Sequence, residues 1–211
     1  MTNARVMIIG PMGSGKTTVA DHLVKNHGYQ KRTLAAAIKN IVADIEDGCR
    51  TDDIITKRIL KYISLSDFEY KNMVTAIEMT KSIEHEIPKP RKRLQFLGTE
   101  GGRQMVRDSI WIDIIRATLW PGNKYVIDDV RFLNEYKAFL KANFTPIKLV
   151  LSPETQHTRL SNLYGNYDPK ILTHPSETEI ASITIDPKFK INSEGPKDNV
   201  LYYVNLVLGI S

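Results

Sequence analysis

Gly10-Pro11-Met12-Gly13-Ser14-Gly15-Lys16-Thr17 matches the pattern G-x-x-x-x-G-K-[ST] at every specified position. The context also agrees. Arg5-Val6-Met7-Ile8-Ile9 before it is a short apolar, β-branched run of the kind that forms a buried parallel strand. After it, Val19, Ala20, Leu23, Val24 and His27 recur at helical spacing, and Gly28 stands where a left-handed C-cap ends a helix. A strand, a glycine turn and a helix in this order form an anion cradle. Successive backbone N–H groups turn inward and the helix N-terminus adds its positive end. Gly13, Ser14, Gly15, Lys16, Thr17 and Thr18 are therefore the candidate ATP-binding residues. Lys16 is placed to reach the β- and γ-phosphates, and the Thr17 hydroxyl to serve Mg²⁺.

Working outward, Tyr29 to Thr33 reads as a second strand, and Leu34 to about Glu86 as largely helical. Ser66-Asp67-Phe68-Glu69 is a capping box inside that stretch, and Pro88 and Pro90 end it. Arg91 to Val106 resumes a helical pattern broken by Gly98, Gly101 and Gly102. Ile110 to Leu119 is a shorter apolar helix closed by Pro121-Gly122. Strand, helix, strand then follow at Lys124 to Asp128, Leu133 to Ala142 and Ile147 to Leu151, the alternation of a parallel sheet. Ser152-Pro153-Glu154 starts another helix, with an N-cap hydroxyl, proline at the first position and a carboxylate in the first turn. Tyr164 to Pro175 reads as a mobile loop, Phe189 to Asn192 as a last strand and Asp198 to Leu208 as a closing helix.

With 211 residues, 42% of them hydrophobic, the chain suits one sizeable domain with insertions. The expected organisation is a core of about 1–33, 122–152 and 185–211, a helical insertion of about 34–121 and a lid region of about 153–184. A single cysteine, Cys49, excludes an intramolecular disulfide and a thiol-based zinc site. No stretch approaches the ~18 apolar residues of a spanning helix, and the N-terminal apolar run is too short for a signal segment, so a cytoplasmic protein without membrane contact is expected. The formal charge of +5 is spread along the chain, with no recognisable nucleic-acid-binding module, so no stable nucleic-acid binding is expected.

A phosphate cradle alone does not separate a switch, a motor and a small-molecule kinase. A GTPase switch requires Asn-Lys-x-Asp, and the only Asn-Lys pair, Asn123-Lys124, continues Tyr125-Val126. Phosphoryl transfer between two anions requires positive charge on both sides of the moving group. The chain supplies it at Arg91-Lys92-Arg93 beside Gln95, at Arg131, and at Arg159. Asp128 and Asp129 stand at the carboxyl end of a core strand, where open α/β sheets bind ligands, so either can hold Mg²⁺ through water.

Leu94-Gln95-Phe96-Leu97-Gly98-Thr99-Glu100-Gly101-Gly102-Arg103, followed by Asp108-Ser109-Ile110-Trp111, resembles the central signature of the bacteriophage deoxynucleoside monophosphate kinases. So do Ile127-Asp128-Asp129-Val130-Arg131-Phe132-Leu133-Asn134-Glu135, His174-Pro175-Ser176-Glu177, and Phe189-Lys190-Ile191-Asn192 followed by Gly195. The resemblance implies an α/β fold of the P-loop, adenylate-kinase-like type: a five-stranded parallel sheet flanked by helices, a helical monophosphate-binding insertion and a small lid. It implies that Lys16, Arg131, Asp129 and Arg159 are catalytic. Arg93, Gln95, Gly98, Thr99, Arg103, Asp128 and Glu135 are implied on the acceptor side, with Trp111 either stacked near the acceptor base or in the core. Arg159 and His174 to Glu177 fall on the lid side, which carries one clear arginine where adenylate kinases place several.

The reaction so implied is in-line attack by an acceptor phosphate oxygen on the γ-phosphorus of Mg·ATP, under a lid that excludes water. A deoxynucleoside monophosphate is the favoured acceptor. By the same resemblance a homodimer and a place in phage nucleotide metabolism, inside the bacterial host, are expected. The competing readings are a dephospho-coenzyme A kinase-like enzyme and a nucleotide-dependent DNA-binding protein.

Overall fold

Val6, Met7, Ile8 and Ile9 are all fully buried, and in the computed structural model they form strand β1 (Arg5–Ile9) at the centre of a five-stranded sheet. The structure describes residues 4–85, 90–165, 167–173 and 175–210. Glu86 and Pro88, at the expected end of the long helical stretch, and His174 lie outside the described residues. The chain divides into two compact units, Met1–Arg32 with Trp120–Ser211, and Thr33–Leu119.

In the first unit, β2 (Gln30–Arg32), β3 (Tyr125–Ile127), β4 (Thr145–Val150) and β5 (Lys190–Asn192) complete a sheet of order β2-β3-β1-β4-β5, parallel at every pairing. The register sets Met7 opposite Ile127 and Ile9 opposite Lys148, so β1, β3 and β4 end at one edge. On one face Val6, Ile8, Val126, Ile147, Leu149 and Ile191 pack against α1 (Lys16–His27) and α10 (Lys197–Leu208). Helix α1 turns Val19, Ala20 and Leu23 inward, whereas Val24, one step round from Leu23, stays partly exposed. Gly28 caps the helix at φ 70°, as its position requires.

The same unit carries α7 (Leu133–Lys141), α8 (Pro153–Tyr164) and α9 (Pro175–Ser182). Ser152 Oγ accepts from the Thr155 N–H and starts α8. The stretch expected to be a mobile loop instead contains a 3₁₀ turn, Pro169–Thr173, and leads into α9. Pro175 and Glu177 in the first turn of α9 repeat the start signal of α8, and that signal was there to be read.

The second unit contains α2 (Leu34–Glu46), α3 (Thr51–Ile55) continuing into a π turn (Thr56–Leu60), α4 (Asp67–Ser82), α5 (Arg91–Phe96), a ten-residue π segment (Leu97–Val106) and α6 (Ile110–Ala117). Ser66 and Glu69 form the capping box expected for α4. Buried Asp44 is satisfied by the guanidinium of Arg58, with bonds of 2.5 and 2.7 Å. The glycines of the π segment do not end the helix. A Cβ on Gly101 would sit 3.1 Å from Ala76 of α4, and one on Gly102 would overlap the Trp111 ring and lie 2.7 Å from the Leu97 carbonyl. Trp111 fills that space at 1% exposure and donates from Nε1 to the Gly98 carbonyl at 2.9 Å.

Gly102→Ala is therefore expected to be an overpacking mutation that costs about 1–3 kcal/mol. The check is a thermal or urea unfolding curve, and full stability would contradict this account of the glycine.

Candidate functional site

The carboxyl end of β1 runs directly into the glycine loop, and the conformation of that loop is set by close approach. A Cβ on Gly10 would lie 2.6 Å from the Leu149 carbonyl of β4, so only glycine lets the loop leave the sheet there. Gly15 takes φ 88° as N-cap of α1, and no side chain caps that helix. The N–H groups of its first turn thus remain available to an external anion. The Ser14 Oγ is buried and has no hydrogen-bond partner among the described residues. A phosphate oxygen in the cradle is the kind of partner such a hydroxyl lacks. Thr17 and Thr18 are exposed on the first turn of α1, which brings the six expected nucleotide residues together around one helix end.

Lys16 folds back over the loop, and its Nζ donates to the carbonyls of Gly10 (2.7 Å) and Pro11 (2.8 Å). Burial lowers its pKa to about 8, with the neighbouring Arg131 charge working in the same direction. Glu177 and Asp128 work against them. Lys16, Arg131, Glu177 and Asp128 are thus electrostatic neighbours at the ends of β1 and β3.

Arg131 Nη1 lies 2.7 Å from Glu177 Oε1, and the other carboxylate oxygen of Glu177 accepts from the Met12 N–H at 3.0 Å. Glu177 is 8% exposed, so a buried carboxylate ties Arg131 to the glycine loop. Glu177 was legible only as part of the His174-to-Glu177 block and was not expected in the site. Lys31 was missed as well. It pairs with Asp128 at 2.8 Å and with Asp21 at 3.2 Å. Burial pulls its pKa down, but the bonds to Asp128 and Asp21 outweigh burial and raise it. Asp128 is therefore buried and already neutralised from one side, whereas Asp129 is half-buried.

Several expected roles are corrected. Glu135, expected at the acceptor, is 2% exposed and accepts from the N–H groups of Arg131 (2.6 Å) and Phe132 (3.0 Å). It holds the start of α7 and the backbone of Arg131. Arg159, expected as a catalytic residue on the lid side, donates to the carbonyls of Gly13 (3.2 Å) and Ser193 (2.5 Å) and so braces the loop. It also borders a cavity of about 200 Å³ with Gly15, Thr18, Ser193, Gly195 and Lys197, floored by apolar residues of α1 and α10. The glycine–proline turn after β5 was the sequence signal for this cavity, since it sits at the carboxyl end of a parallel strand.

The expected acceptor residues lie in the unit Thr33–Leu119. Arg93 is largely buried, donates to the Ile83 carbonyl from Nε (3.0 Å) and Nη2 (2.8 Å), and stands 3.6 Å from Glu46. It lines a cavity of about 530 Å³ with Glu46, Lys81 and His85. Gln95 is exposed and Thr99 half-buried. Gly98 spends its carbonyl on Trp111. Trp111 is a core residue and presents no ring face to a ligand, because the space beside Gly102 takes the whole indole. Arg103 is drawn to Asp108, at 3.3 Å from its carbonyl and 3.6 Å from its carboxylate, and so latches the π segment to the turn before α6.

The hard oxygen donors Thr17, Asp128 and Asp129 suit Mg²⁺ in kind. Among the described residues no group of three or more His, Cys, Asp or Glu side chains forms a metal cage, so such an ion depends on phosphate oxygens for most of its shell. No helix among the described residues is long and apolar enough to cross a membrane.

The Lys16 pKa makes a prediction. Bound phosphates favour the charged amine, so nucleotide affinity should be flat below about pH 8 and fall by up to about tenfold per pH unit above it. Lys16→Arg should remove the bend. Titration calorimetry with ATP across this range is the check.

No family model matches the chain. It is 35% identical over 99 residues to the deoxynucleoside-5'-monophosphate kinase of Escherichia phage T5, an alignment that takes in 43% of this chain and 34% of that protein. The chain thus matches about a third of the length of this curated relative. Among solved structures, a gluconokinase from Sinorhizobium meliloti 1021 superposes with a TM-score of 0.49 and 13% identity, covering 99% of this chain and 93% of that one.

Proposed function

We propose that the protein transfers the γ-phosphoryl group of ATP to a nucleoside monophosphate, with a deoxynucleoside monophosphate preferred, to give ADP and the diphosphate. The observation that carries this reading is the convergence of Lys16, Arg131 and Asp128 on a glycine loop at the carboxyl end of the central strand. The sequence similarity to the phage T5 enzyme supports the choice of acceptor.

In this reading the triphosphate lies along the N–H groups of the loop, and Lys16 exchanges the carbonyls of Gly10 and Pro11 for phosphate oxygens. The cavity bordered by Arg159, Ser193 and Lys197 takes the base of ATP, with the apolar side chains of α1 and α10 beneath the ring. Mg²⁺ supplies charge neutralisation at the phosphates when bound, and Thr17 with Asp129 holds its protein side. Arg131 is placed beside Lys16 and carries positive charge to the transferred group. Acceptor recognition falls to Arg93, Gln95 and Thr99. Arg93 does this by way of the cavity it shares with Lys81. No covalent enzyme intermediate is required.

The test is ADP release with Mg·ATP against ribo- and deoxynucleoside monophosphates, dephospho-coenzyme A, and no acceptor. Turnover that depends on a deoxynucleoside monophosphate supports the proposal. Turnover on dephospho-coenzyme A alone, or ATP hydrolysis stimulated only by DNA, overturns it.

A further inference from the structure

The far end of α1 carries a cluster that the nucleotide site does not use. His22 and His27 bring their Nε2 atoms within 3.3 Å of each other, and Asn205 Oδ1 from α10 lies 3.0 Å from His22 Nε2. His22 Nε2 thus stands between His27 Nε2 and Asn205 Oδ1, within 3.3 Å of each. Both separations are of the size that a tetrahedral metal imposes. Two ligands at about 2.05 Å from the ion stand about 3.3 Å apart, and three such ligands form one face of the tetrahedron.

We propose that His22, His27 and Asn205 form a binding site for one divalent transition-metal ion of the zinc or nickel kind, separate from the Mg²⁺ of the nucleotide. Two imidazole nitrogens select such borderline metals over Mg²⁺, which prefers oxygen. Both histidines are half-buried, so a water has access to the fourth position.

The surroundings fit the same use. The Nδ1 of His22 lies 2.8 Å from the side-chain amide of Asn26. The C-terminal end of α1 presents the negative end of the helix dipole to a cation. Lys124, whose Nζ donates to the His27 carbonyl at 3.3 Å, is a charge that opposes a cation there. An ion so held joins the end of α1 to α10, the two helices that cover one face of the sheet. At about 1.5 Å per residue along α1, His22 and His27 stand about 9 and 16 Å beyond Lys16, too distant to share the nucleotide's metal.

The experiment is calorimetric titration of the chelator-treated, full-length chain with Zn²⁺ and Ni²⁺ alone, without nucleotide, alongside the Co²⁺ visible spectrum. One ion per chain is expected, bound tighter than about 100 μM, with a tetrahedral-type cobalt spectrum and a raised melting temperature. His22→Gln and His27→Gln should abolish binding, and Asn205→Ala should weaken it by about tenfold or more. His157→Gln and Lys16→Ala should leave it unchanged. Binding that survives both glutamine substitutions, binding lost equally in His157→Gln, or no saturable binding by the parent chain overturns the proposal. The parent chain's stoichiometry and cobalt spectrum decide the matter even if a variant folds poorly. None of these readouts depends on kinase activity.

Discussion

Lys16→Ala should lower acceptor-dependent turnover by about 10³-fold or more while the protein stays folded. In the proposed reaction the amine is the group within the loop that takes up phosphate in place of the Gly10 and Pro11 carbonyls, and no neighbour replaces it. Arg131 is tied to Glu177, and Arg159 braces the carbonyls of Gly13 and Ser193. Stability should not fall with activity. Lys16 titrates near 8 in the folded chain against 10.5 for the ordinary side chain, so folding disfavours its charged form. The penalty is fully present below about pH 8 and fades as pH rises toward 10.5, so its removal at neutral pH leaves the melting temperature unchanged or raises it. A steady-state assay and a melting curve on the same preparation check both halves. A variant that retains turnover, or loses it only by unfolding, contradicts the assignment.

Arg131→Ala is the second large effect, an expected loss of about 10²–10³-fold in kcat with ATP binding little changed. Its guanidinium is 43% exposed and neighbours Lys16, so it is held at the loop by one buried partner while part of it still faces solvent. Glu177→Gln, which keeps an acceptor for the Met12 N–H but removes the charge that holds Arg131, should lose about tenfold. The double variant should be no worse than Arg131→Ala alone, because both changes act through one interaction. Additive losses would show that Glu177 acts independently of Arg131. A large loss of ATP affinity in Arg131→Ala would place that residue on the ground-state nucleotide instead.

What the sequence disclosed and what it concealed follow the range of the forces involved. Strand β1, the glycine loop and α1 are written in local periodicity and turn chemistry, as are the caps at Ser66 and Ser152, and all appear where the residues place them. The Gly101-Gly102 pair was legible only as looseness in a helix. Its π geometry is set by the Trp111 ring and the approach of α4, contacts that no local pattern encodes. Glu177 and Lys31 were illegible in the site for a related reason. Each is an ordinary charged residue until the sheet brings it to a partner far along the chain, Arg131 and Asp128 respectively. Glu135 and Arg103 mislead in the opposite sense, because charge near a motif reads the same whether it meets a ligand or the chain's own backbone. Burial and the donor–acceptor pairing distinguish the two.

The most direct test of the central claim follows the phosphoryl group itself. The protein is incubated with Mg²⁺, γ-labelled ATP and a single deoxynucleoside monophosphate, and the products are separated. The account predicts label in the deoxynucleoside diphosphate, in step with ADP formation and absent with Lys16→Ala. Label found only as inorganic phosphate, at the same rate with and without the acceptor, would contradict it.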